Sequence, residues 1–301
     1  MSVLCIGEIL WDLFEDQRET LAGAPFNVAV AIDRLGDPVN LISAVGRDDR
    51  GTRALHHLRS IGFSAEYVKV LDGLSTGVAE VHIDAHDNPS YSIPRPAAFD
   101  SLAINEEDSQ KISTLHPKWI YFGTLTQTSR QNEELLSALT RQYPGISRFY
   151  DLNLRDGHWN FPLVQRLARH VTVLKLNQAE AQELFAREST DIFSLDQFCS
   201  SWSSRYGIAI ICITLGSQGC AVYSEGKMSV VPGFPVTVVD TVGAGDAFTA
   251  GFLHGLVHNW PLGQTARFAN ALGSIVASRA TAIPDWAPAE VRALLDVRDH
   301  A

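Results

Sequence analysis

The fold is decided by one stretch near the end of the chain, Val238-Val239-Asp240-Thr241-Val242-Gly243-Ala244-Gly245-Asp246-Ala247-Phe248. After Asp246, apolar and small residues recur at helical spacing, which predicts that the Gly-Ala-Gly turn lies at the N-terminus of a helix. Backbone N–H groups and the helix dipole make such a turn suitable for an anion. A carboxylate beside a phosphate makes chemical sense if it accepts a proton from an attacking hydroxyl, so Asp246 is a candidate general base. Taken alone, Asp246 could also be a helix N-terminal acid that the dipole favours.

Composition narrows the classes of protein that fit. The chain has 301 residues, is 46% hydrophobic and carries a formal net charge of −10. These values are typical of a folded globular protein, and the lack of a Lys/Arg-rich cluster argues against nucleic-acid binding. The sequence has no apolar run long enough to span a membrane and no basic N-terminal region, so a cytoplasmic protein without membrane contact is expected. The four cysteines show no CxxC pairing and imply neither a disulfide framework nor a zinc site.

Short apolar runs alternate with helical patterns along most of the chain. This alternation predicts an α/β fold in which helices flank a mostly parallel central sheet. The predicted strands lie at residues 3–6, 119–122, 171–176 and 208–215. The predicted helices lie at residues 26–35 and 52–61, where Gly36 and Gly62 are suited to end them.

Two segments, residues 12–22 and 76–99, fit the strand–helix alternation poorly. Their patterns predict strands and hairpins of a small separate sheet, with a turn at Asp87-Asn88-Pro89. A sheet that thin must pack on something else to bury its apolar face, which makes it a candidate lid. The sequence contains no repeat or Pro/Ser-rich linker, so we expect one domain over residues 1–301 with both segments inserted in it.

The stretch around Asp246 resembles a signature of the PfkB or ribokinase-like carbohydrate kinases, which reads approximately D-T-x-G-A-G-D-x-F. The sequence contains no P-loop, no complete G-x-G-x-x-G and no protein-kinase HRD and DFG pair. The resemblance implies a ribokinase-like fold with a small β-sheet lid and a catalytic role for Asp246. It also implies that the amides of Gly243, Ala244 and Gly245 stabilise the transferred phosphoryl group.

Further resemblances concern the sugar. Asp12 stands five residues after Gly7, as the sugar-binding aspartate does in the family. The segment Leu21-Ala22-Gly23-Ala24-Pro25-Phe26-Asn27 is similar to the G-G-A-P-x-N segment, which implies that Gly23 and Asn27 contact the sugar. Ala22 replaces the usual first glycine, so a positive φ there would be strained. The run Asp151-Leu152-Asn153-Leu154-Arg155 resembles a D-x-N-x-R segment of fructokinase-like members, and Arg155 is expected to meet substrate or phosphate.

The remaining motifs concern the nucleotide and its metal. Asn177 and Glu180 match an N-x-x-E motif, which implies that they organise Mg²⁺, with Glu180 acting through water. The resemblance implies that ATP is bound by four further residues: Thr214, Gly216, Gly219 and Asn270. The segment Gly46-Arg47-Asp48-Asp49-Arg50-Gly51 resembles G-x-D-x-x-G, to which we assign a structural role.

A potassium ion is a further cofactor that the resemblance suggests. In several relatives a monovalent cation is bound at the positions of Asp240 and of the Val242 carbonyl. Thr281 stands where relatives usually have glycine, which leaves activation by a cation open.

The sequence therefore predicts an ATP-dependent kinase that transfers the γ-phosphoryl group of Mg·ATP to a sugar hydroxyl, with fructose as the leading acceptor. Two alternatives stay open: a kinase of the same fold that acts on a nucleoside or another small alcohol, and a catalytically silent protein that senses sugar or nucleotide. Relatives form dimers through the lid, which suggests a homodimer. Glu80, His82 and Arg95 are candidate lid contacts.

Overall fold

Thirteen strands in two sheets carry the fold in the computed structural model, which describes residues 2–83, 89–169 and 171–299. The strands are β1 (Ser2–Ile6), β2 (Leu10–Phe14), β3 (Glu19–Ala22), β4 (Val39–Gly46), β5 (Val68–Leu71), β6 (Gly77–Ile83), β7 (Pro89–Ser92), β8 (Pro117–Gly123), β9 (Ser147–Asp151), β10 (Val173–Asn177), β11 (Ile210–Thr214), β12 (Gly219–Ser224) and β13 (Lys227–Pro232). The helices are α1 (Ala24–Arg34), α2 (Asp49–Ser60), α3 (Glu106–Leu115), α4 (Thr124–Gln127), α5 (Arg130–Gln142), α6 (Phe161–Ala168), α7 (Gln178–Ala186), α8 (Leu195–Tyr206), α9 (Ala244–Val257), α10 (Leu262–Ala277) and α11 (Pro288–Asp299).

The large sheet has nine strands in the order β13-β12-β11-β10-β9-β8-β1-β4-β5. The seven strands from β11 to β5 run parallel, and β12 and β13 continue the sheet antiparallel at one edge. Central strands such as β1 are buried along their whole length, as expected for a sheet covered on both faces. The predicted mostly parallel sheet is confirmed, and the four predicted strands correspond to β1, β8, β10 and β11.

Helices cover both faces of this sheet. On one face, α9 packs on β9, where the rings of Phe252 and Phe149 are 6.2 Å apart. On the other face, Trp202 of α8 is fully buried in one apolar cluster with Ile211 of β11. The predicted helices at residues 26–35 and 52–61 are α1 and α2, and each begins two or three residues earlier than the periodicity indicates. The apolar pattern starts after the capping turn, which explains the difference.

The small sheet has the order β3-β2-β6-β7, with a parallel β2–β6 pair between two antiparallel pairs. It is built from the two segments that the sequence assigns to a separate sheet. Asp87 and Asn88 of the predicted turn lie outside the described residues. The inner face packs on the rest of the molecule through a buried cluster that includes Leu10, Ala79 and Phe99.

Asp48 ties the two sheets together. Its carboxylate caps α2 by accepting the Gly51 N–H at 2.7 Å, and it also accepts the Thr76 N–H at 2.8 Å and the Thr76 hydroxyl at 2.7 Å. A Cβ on Gly51 would lie 2.1 Å from the Gly46 carbonyl oxygen, so the glycine is needed for this close approach. These contacts agree with the structural role assigned to the G-x-D-x-x-G segment.

Replacing Asp48 by Asn should destabilise the fold by about 1–2 kcal/mol at pH 7, because the helix cap and the Thr76 contacts are weakened. Burial acts to raise the pKa of Asp48, but the bonds from Thr76 and Gly51 outweigh it and the pKa is lowered. The stabilisation is therefore complete above the unfolded-state pKa of about 3.9 and is lost as the pH falls through the lower folded-state pKa.

Urea unfolding of wild type and Asp48→Asn from pH 7 to pH 2.5 measures this effect, and the difference should shrink toward acid. Asp49→Asn is the matched control, because Asp49 lies in the same helical turn and only pairs with Arg53 at the surface. An equal loss in both variants, or a difference that does not change with pH, would contradict the assignment.

Candidate active site

A cleft of about 330 Å³ lies between the small sheet and the carboxyl ends of the parallel strands. The strand ends and the loops that follow them supply Glu8, Asn177 and Thr214. Ligands of open α/β sheets bind at such ends. Five small-sheet and adjacent residues form the facing wall: Leu10, Asp12, Ala79, Tyr91 and Ile93. Predicted sugar-binding and catalytic residues also line the cleft, namely Gly23, Asn27, Arg155, Gly243, Gly245 and Asp246.

The floor of this cleft includes the start of α9. Gly243 caps the helix with φ at 79°, and a Cβ there would lie 2.2 Å from the Ala282 carbonyl oxygen. Only glycine fits such a close approach at positive φ. The first N–H groups of a helix lack intrahelical acceptors, which leaves them for an anion. Of the three predicted amides, that of Ala244 already donates to the Thr241 carbonyl at 3.2 Å.

Asp246 lies in the first turn of α9 and is half-buried. Asn27 Nδ2 donates a hydrogen bond of 2.7 Å to Asp246 Oδ2. Burial raises the pKa of Asp246 to about 7, and the charge of Asp151 acts in the same direction, whereas Asn27, Lys175 and Arg155 oppose it. A carboxyl group that titrates near neutral pH is well matched to accept a proton from a hydroxyl.

Asn27 is positioned by the entry to α1. Gly23 caps this helix with φ at 122°, and a Cβ on it would lie 2.4 Å from the Glu8 carbonyl oxygen. Ala22 does not have positive φ, so it replaces the family's glycine without backbone strain. Asn27 is only 6% exposed, and its Oδ1 has no hydrogen-bond partner within the described parts of the chain. A buried amide oxygen of this kind needs a donor, which a sugar hydroxyl would provide.

Two more carboxyl groups face the cleft. Burial raises the pKa of Asp12 to about 6, although the charge of Arg155 opposes it. Glu8 is 5% exposed, accepts the Thr126 hydroxyl, and has a pKa raised by burial. The guanidinium of Arg155 lies 5.2 Å from the centre of the Tyr91 ring. Sequence reasoning missed Glu8 and Tyr91 as site residues; a charged residue directly after the buried strand β1 was the available signal for Glu8.

Lys175 is the second cation of the cleft, and the sequence analysis did not assign it a role. Its Nζ donates to both Asp151 oxygens at 3.0 and 3.1 Å, and the Thr249 hydroxyl also donates to Asp151. Burial acts to lower the pKa of Lys175, but the surrounding carboxylates outweigh it and the pKa is raised. Lys175 Nζ also lies close to the backbone of Gly245, 3.6 Å from the point that a Cβ on this glycine would occupy. A charged ammonium group is thereby held beside the predicted anion-binding turn, residues 243–245. The sequence signal for this group was a lysine within an otherwise apolar strand.

A second cleft, of about 490 Å³, meets the first at the same turn. The two share Thr214, Thr241 and Gly245. The second cleft gathers the other predicted nucleotide-binding residues and one residue of the turn: Gly216, Gly219, Asn270 and Ala244. Asn270 Nδ2 donates to the carbonyls of Val231 and Pro232, so it also fixes the wall that β13 forms.

The predicted magnesium residues form a helix cap. Glu180 accepts the Asn177 N–H at 2.8 Å and the Leu154 N–H at 2.7 Å, while Asn177 Oδ1 accepts the Glu180 N–H. Asn177 borders the first cleft. Glu180 lines an adjoining open cleft of about 820 Å³, which Asn177 and Arg155 also border. Each carboxylate oxygen of Glu180 keeps a lone pair after these bonds, which is compatible with contact to Mg²⁺ through water.

Comparison with known proteins decides the family. The family model described as pfkB family carbohydrate kinase matches residues 2–289. The chain belongs to this family. Carbohydrate kinases are phosphotransferases with an alcohol group as acceptor, and so is this protein.

Individual relatives agree with this family. The kinase is 28% identical to Fructokinase-1 of Oryza sativa subsp. japonica over 290 residues, which cover 90% of this chain and 86% of the relative. A fructokinase from Xylella fastidiosa, solved with bound ATP, superposes with a TM-score of 0.87 at 24% identity, covering 99% of both chains. A fructokinase double mutant from Vibrio cholerae O395, solved with fructose, ADP and potassium, gives 0.81 at 23% identity, covering 98% of both chains. Both structures show the shared fold. No helix in the described part of the kinase is long and apolar enough to cross a membrane.

The predicted cation residues of the kinase lie beside the anion-binding turn. Asp240 Oδ1 accepts the Val242 N–H at 2.9 Å. Thr281 has φ at 75°, in the left-handed region, at the position where glycine is usual. The next residue, Ala282, is the one that Gly243 approaches. The threonine is therefore accommodated by backbone strain in the loop that supports this turn.

The candidate lid contacts differ in their positions. Arg95 does not line the first cleft. Its Nε donates to Asp100 Oδ2 at 2.7 Å, and its Nη2 donates to the Thr128 hydroxyl at 2.9 Å. Glu80 is a half-buried residue of β6 that does not line the cleft. The side chain of His82 lies outside the described part of the chain.

The rate of the kinase should rise with pH through about 7, because only the ionised form of Asp246 accepts a proton. Asn27→Ala removes a hydrogen bond that lowers this pKa, so the midpoint of kcat/KM should move to higher pH. Asn270→Ala is the control, since Asn270 lies in the second cleft and should leave the midpoint unchanged. A flat profile between pH 6 and 8, or an unmoved midpoint in Asn27→Ala, would rule out Asp246 as the titrating group.

Thr281→Gly should stabilise the kinase by about 0.5–1 kcal/mol. Positive φ costs a residue with a side chain about 1–2 kcal/mol, and the greater freedom of glycine in the unfolded chain offsets part of the gain. The control is Ala280→Gly, because Ala280 is exposed and does not have positive φ, so this change should destabilise the protein. Thermal and urea unfolding of the three proteins measure the effect; a less stable Thr281→Gly would show that the loop is not strained.

Proposed function

We propose that this kinase transfers the γ-phosphoryl group of ATP to a hydroxyl of fructose, with Asp246 as the general base. One observation supports the reaction most directly. A carboxyl group with a pKa near neutral lies at the start of a helix, in a polar cleft that meets a second cleft at the anion-binding turn. A proton acceptor between an acceptor cleft and a phosphate-binding turn is what direct phosphoryl transfer to an alcohol requires.

The lining of the first cleft favours a polyol over a nucleoside. Asp12, Glu8, Asn27 and Arg155 supply carboxylate, amide and guanidinium groups, which suit vicinal hydroxyls. Tyr91 is the one aromatic side chain among the described lining residues, and Arg155 already covers its ring. A nucleobase would find little surface for stacking. The rice relative and the Vibrio cholerae fructokinase solved with fructose support fructose as the acceptor.

In the proposed reaction, the acceptor hydroxyl transfers its proton to Asp246 as its oxygen forms a bond to the γ-phosphorus. The bond between that phosphorus and the β–γ bridging oxygen breaks, and ADP leaves with the bond's electron pair. Negative charge on the phosphoryl oxygens is stabilised by the start of α9 and by the ammonium of Lys175. Asn27 holds the Asp246 carboxylate in place through their hydrogen bond and presents to the sugar its Oδ1, which has no partner among the described residues.

The proposal includes Mg²⁺ near Asn177 and Glu180, with Glu180 acting through water. When bound, Mg²⁺ would neutralise charge on the nucleotide phosphates. The nucleotide itself is assigned to the second cleft, between Gly216, Gly219 and Asn270. A potassium ion at Asp240 and the Val242 carbonyl remains part of the proposal, since the Vibrio cholerae structure contains potassium.

Asp246→Asn should lower kcat by about 10²- to 10⁴-fold, the usual contribution of a general base. Binding of fructose should persist, because the amide keeps the size of the carboxylate and the other sugar contacts stay. ATP-dependent phosphorylation of fructose, ribose and inosine, combined with calorimetric fructose binding, measures both effects.

Asp156→Asn is the matched control, since Asp156 is exposed and does not line the first cleft. Nearly normal turnover in Asp246→Asn would overturn the general-base role. Faster phosphorylation of inosine than of fructose would overturn the proposed acceptor and leave the base untouched.

A further inference from the structure

A second cluster of polar side chains lies at the far ends of α1 and α9. Asp37 follows α1, and His254 and His258 stand four residues apart at the end of α9. His254 Nδ1 is 2.6 Å from Asp37 Oδ2, and His258 Nε2 is 2.8 Å from Asp37 Oδ1. Among the described residues, these three form a group of histidine and acidic side chains that can each offer one metal-ligand atom, and these atoms all lie within 4.8 Å of one another. None of the sequence motifs described above contains these three residues.

The inner residues of the cluster are buried, and the outer one is exposed to solvent. The Asp37 side chain is 5% exposed and that of His254 is 14% exposed, whereas that of His258 is 47% exposed. The His254 ring stacks on Phe268 with 5.2 Å between ring centres, and it meets Trp260 edge-on at 5.0 Å. These aromatic contacts fix the direction of the inner imidazole. Solvent reaches the cluster from the His258 side.

We propose that Asp37, His254 and His258 bind a zinc ion, with water as the fourth ligand. Two imidazoles and one carboxylate form a donor set that Zn²⁺ prefers, and four is its usual coordination number. At metal–ligand distances of 2.0–2.1 Å, tetrahedral ligand atoms are roughly 3.3 Å apart. Each imidazole nitrogen now contacts a different Asp37 oxygen, at 2.6 and 2.8 Å, so the ion would bind one of these oxygens and the rings would move apart to admit it. The half-exposed His258 side chain has room to make this adjustment.

The zinc ion would join two helices whose opposite ends carry the Asn27–Asp246 pair. Asp246 and His254 are eight residues apart on α9, which corresponds to roughly 12 Å along the helix axis. The ion is therefore remote from the reacting groups and takes no part in phosphoryl transfer. Its effect is structural: it stabilises the pairing of α1 with α9 from the side away from the sugar.

Untagged, metal-free, full-length protein without nucleotide is titrated with Co²⁺, followed by visible absorption, and with Zn²⁺, followed by calorimetry. We expect one equivalent to bind, tetrahedral Co²⁺ absorption bands, and a rise in Tm with Zn²⁺. His258→Gln and His254→Gln should each weaken zinc binding at least about 100-fold. Loss of a residue that only hydrogen-bonds to a metal ligand usually costs about 10- to 100-fold. His258→Gln should keep the basal Mg·ATP-dependent kinase activity, since His258 lies outside both clefts.

His56→Gln is the matched control, because His56 is an exposed helical histidine outside the cluster, and this change should leave binding intact. The proposal is overturned if no stoichiometric binding occurs, if His258→Gln binds zinc as tightly as wild type, or if His56→Gln loses binding equally. Should His254→Gln fail to fold, the half-exposed His258→Gln decides the question alone. The binding assays contain neither sugar nor nucleotide, so their outcome is independent of the proposed acceptor.

Discussion

The hydrogen bond between Asn27 and Asp246 is the contact on which the site depends. It joins the first turn of α1 to the first turn of α9, and each of these turns is held by a glycine that approaches another backbone segment closely. Gly23 approaches the Glu8 carbonyl, and Gly243 approaches the Ala282 carbonyl. The position of the carboxylate is therefore set by backbone packing on both sides. The Oδ1 atom of the same Asn27 side chain has no partner among the described residues, so in the proposed reaction one side chain both positions the base and contacts the acceptor.

Charge in the cleft is arranged in two groups. Burial raises the pKa values of the carboxyl groups of Glu8, Asp12 and Asp246, to about 6 for Asp12 and to about 7 for Asp246. Lys175 and Arg155 supply the positive charge, and Asp151 anchors Lys175 from behind. The protein's overall charge of −10 thus gives no guide to its local preference for an anionic substrate.

Local patterns predicted much of the fold and the position of Asp246 at the start of a helix. The apolar runs located the strands that form the middle of the large sheet, and the small residues around Asp246 located the start of α9. Contacts that depend on sheet register were beyond reach: Lys175 meets Asp151 because β9 and β10 place them opposite each other. The link from Asp48 to Thr76 and the grouping of Asp37 with His254 likewise depend on the tertiary fold. The cysteine pattern, which implies no zinc site, carries no information about a cluster of histidine and aspartate.

The Asn27–Asp246 pair also bears on how the protein is made, because its two residues are separated by 219 positions in the chain. During synthesis, Asn27 leaves the ribosome long before Asp246, and the loop containing Ala282 emerges later still. A nascent chain that stops before α9 therefore lacks both Asp246 and the helix start that forms part of the floor of the first cleft. Contacts of this sequence separation close large loops and slow the search for the native state. The Asn27–Asp246 pair therefore forms only after all thirteen described strands have been synthesised.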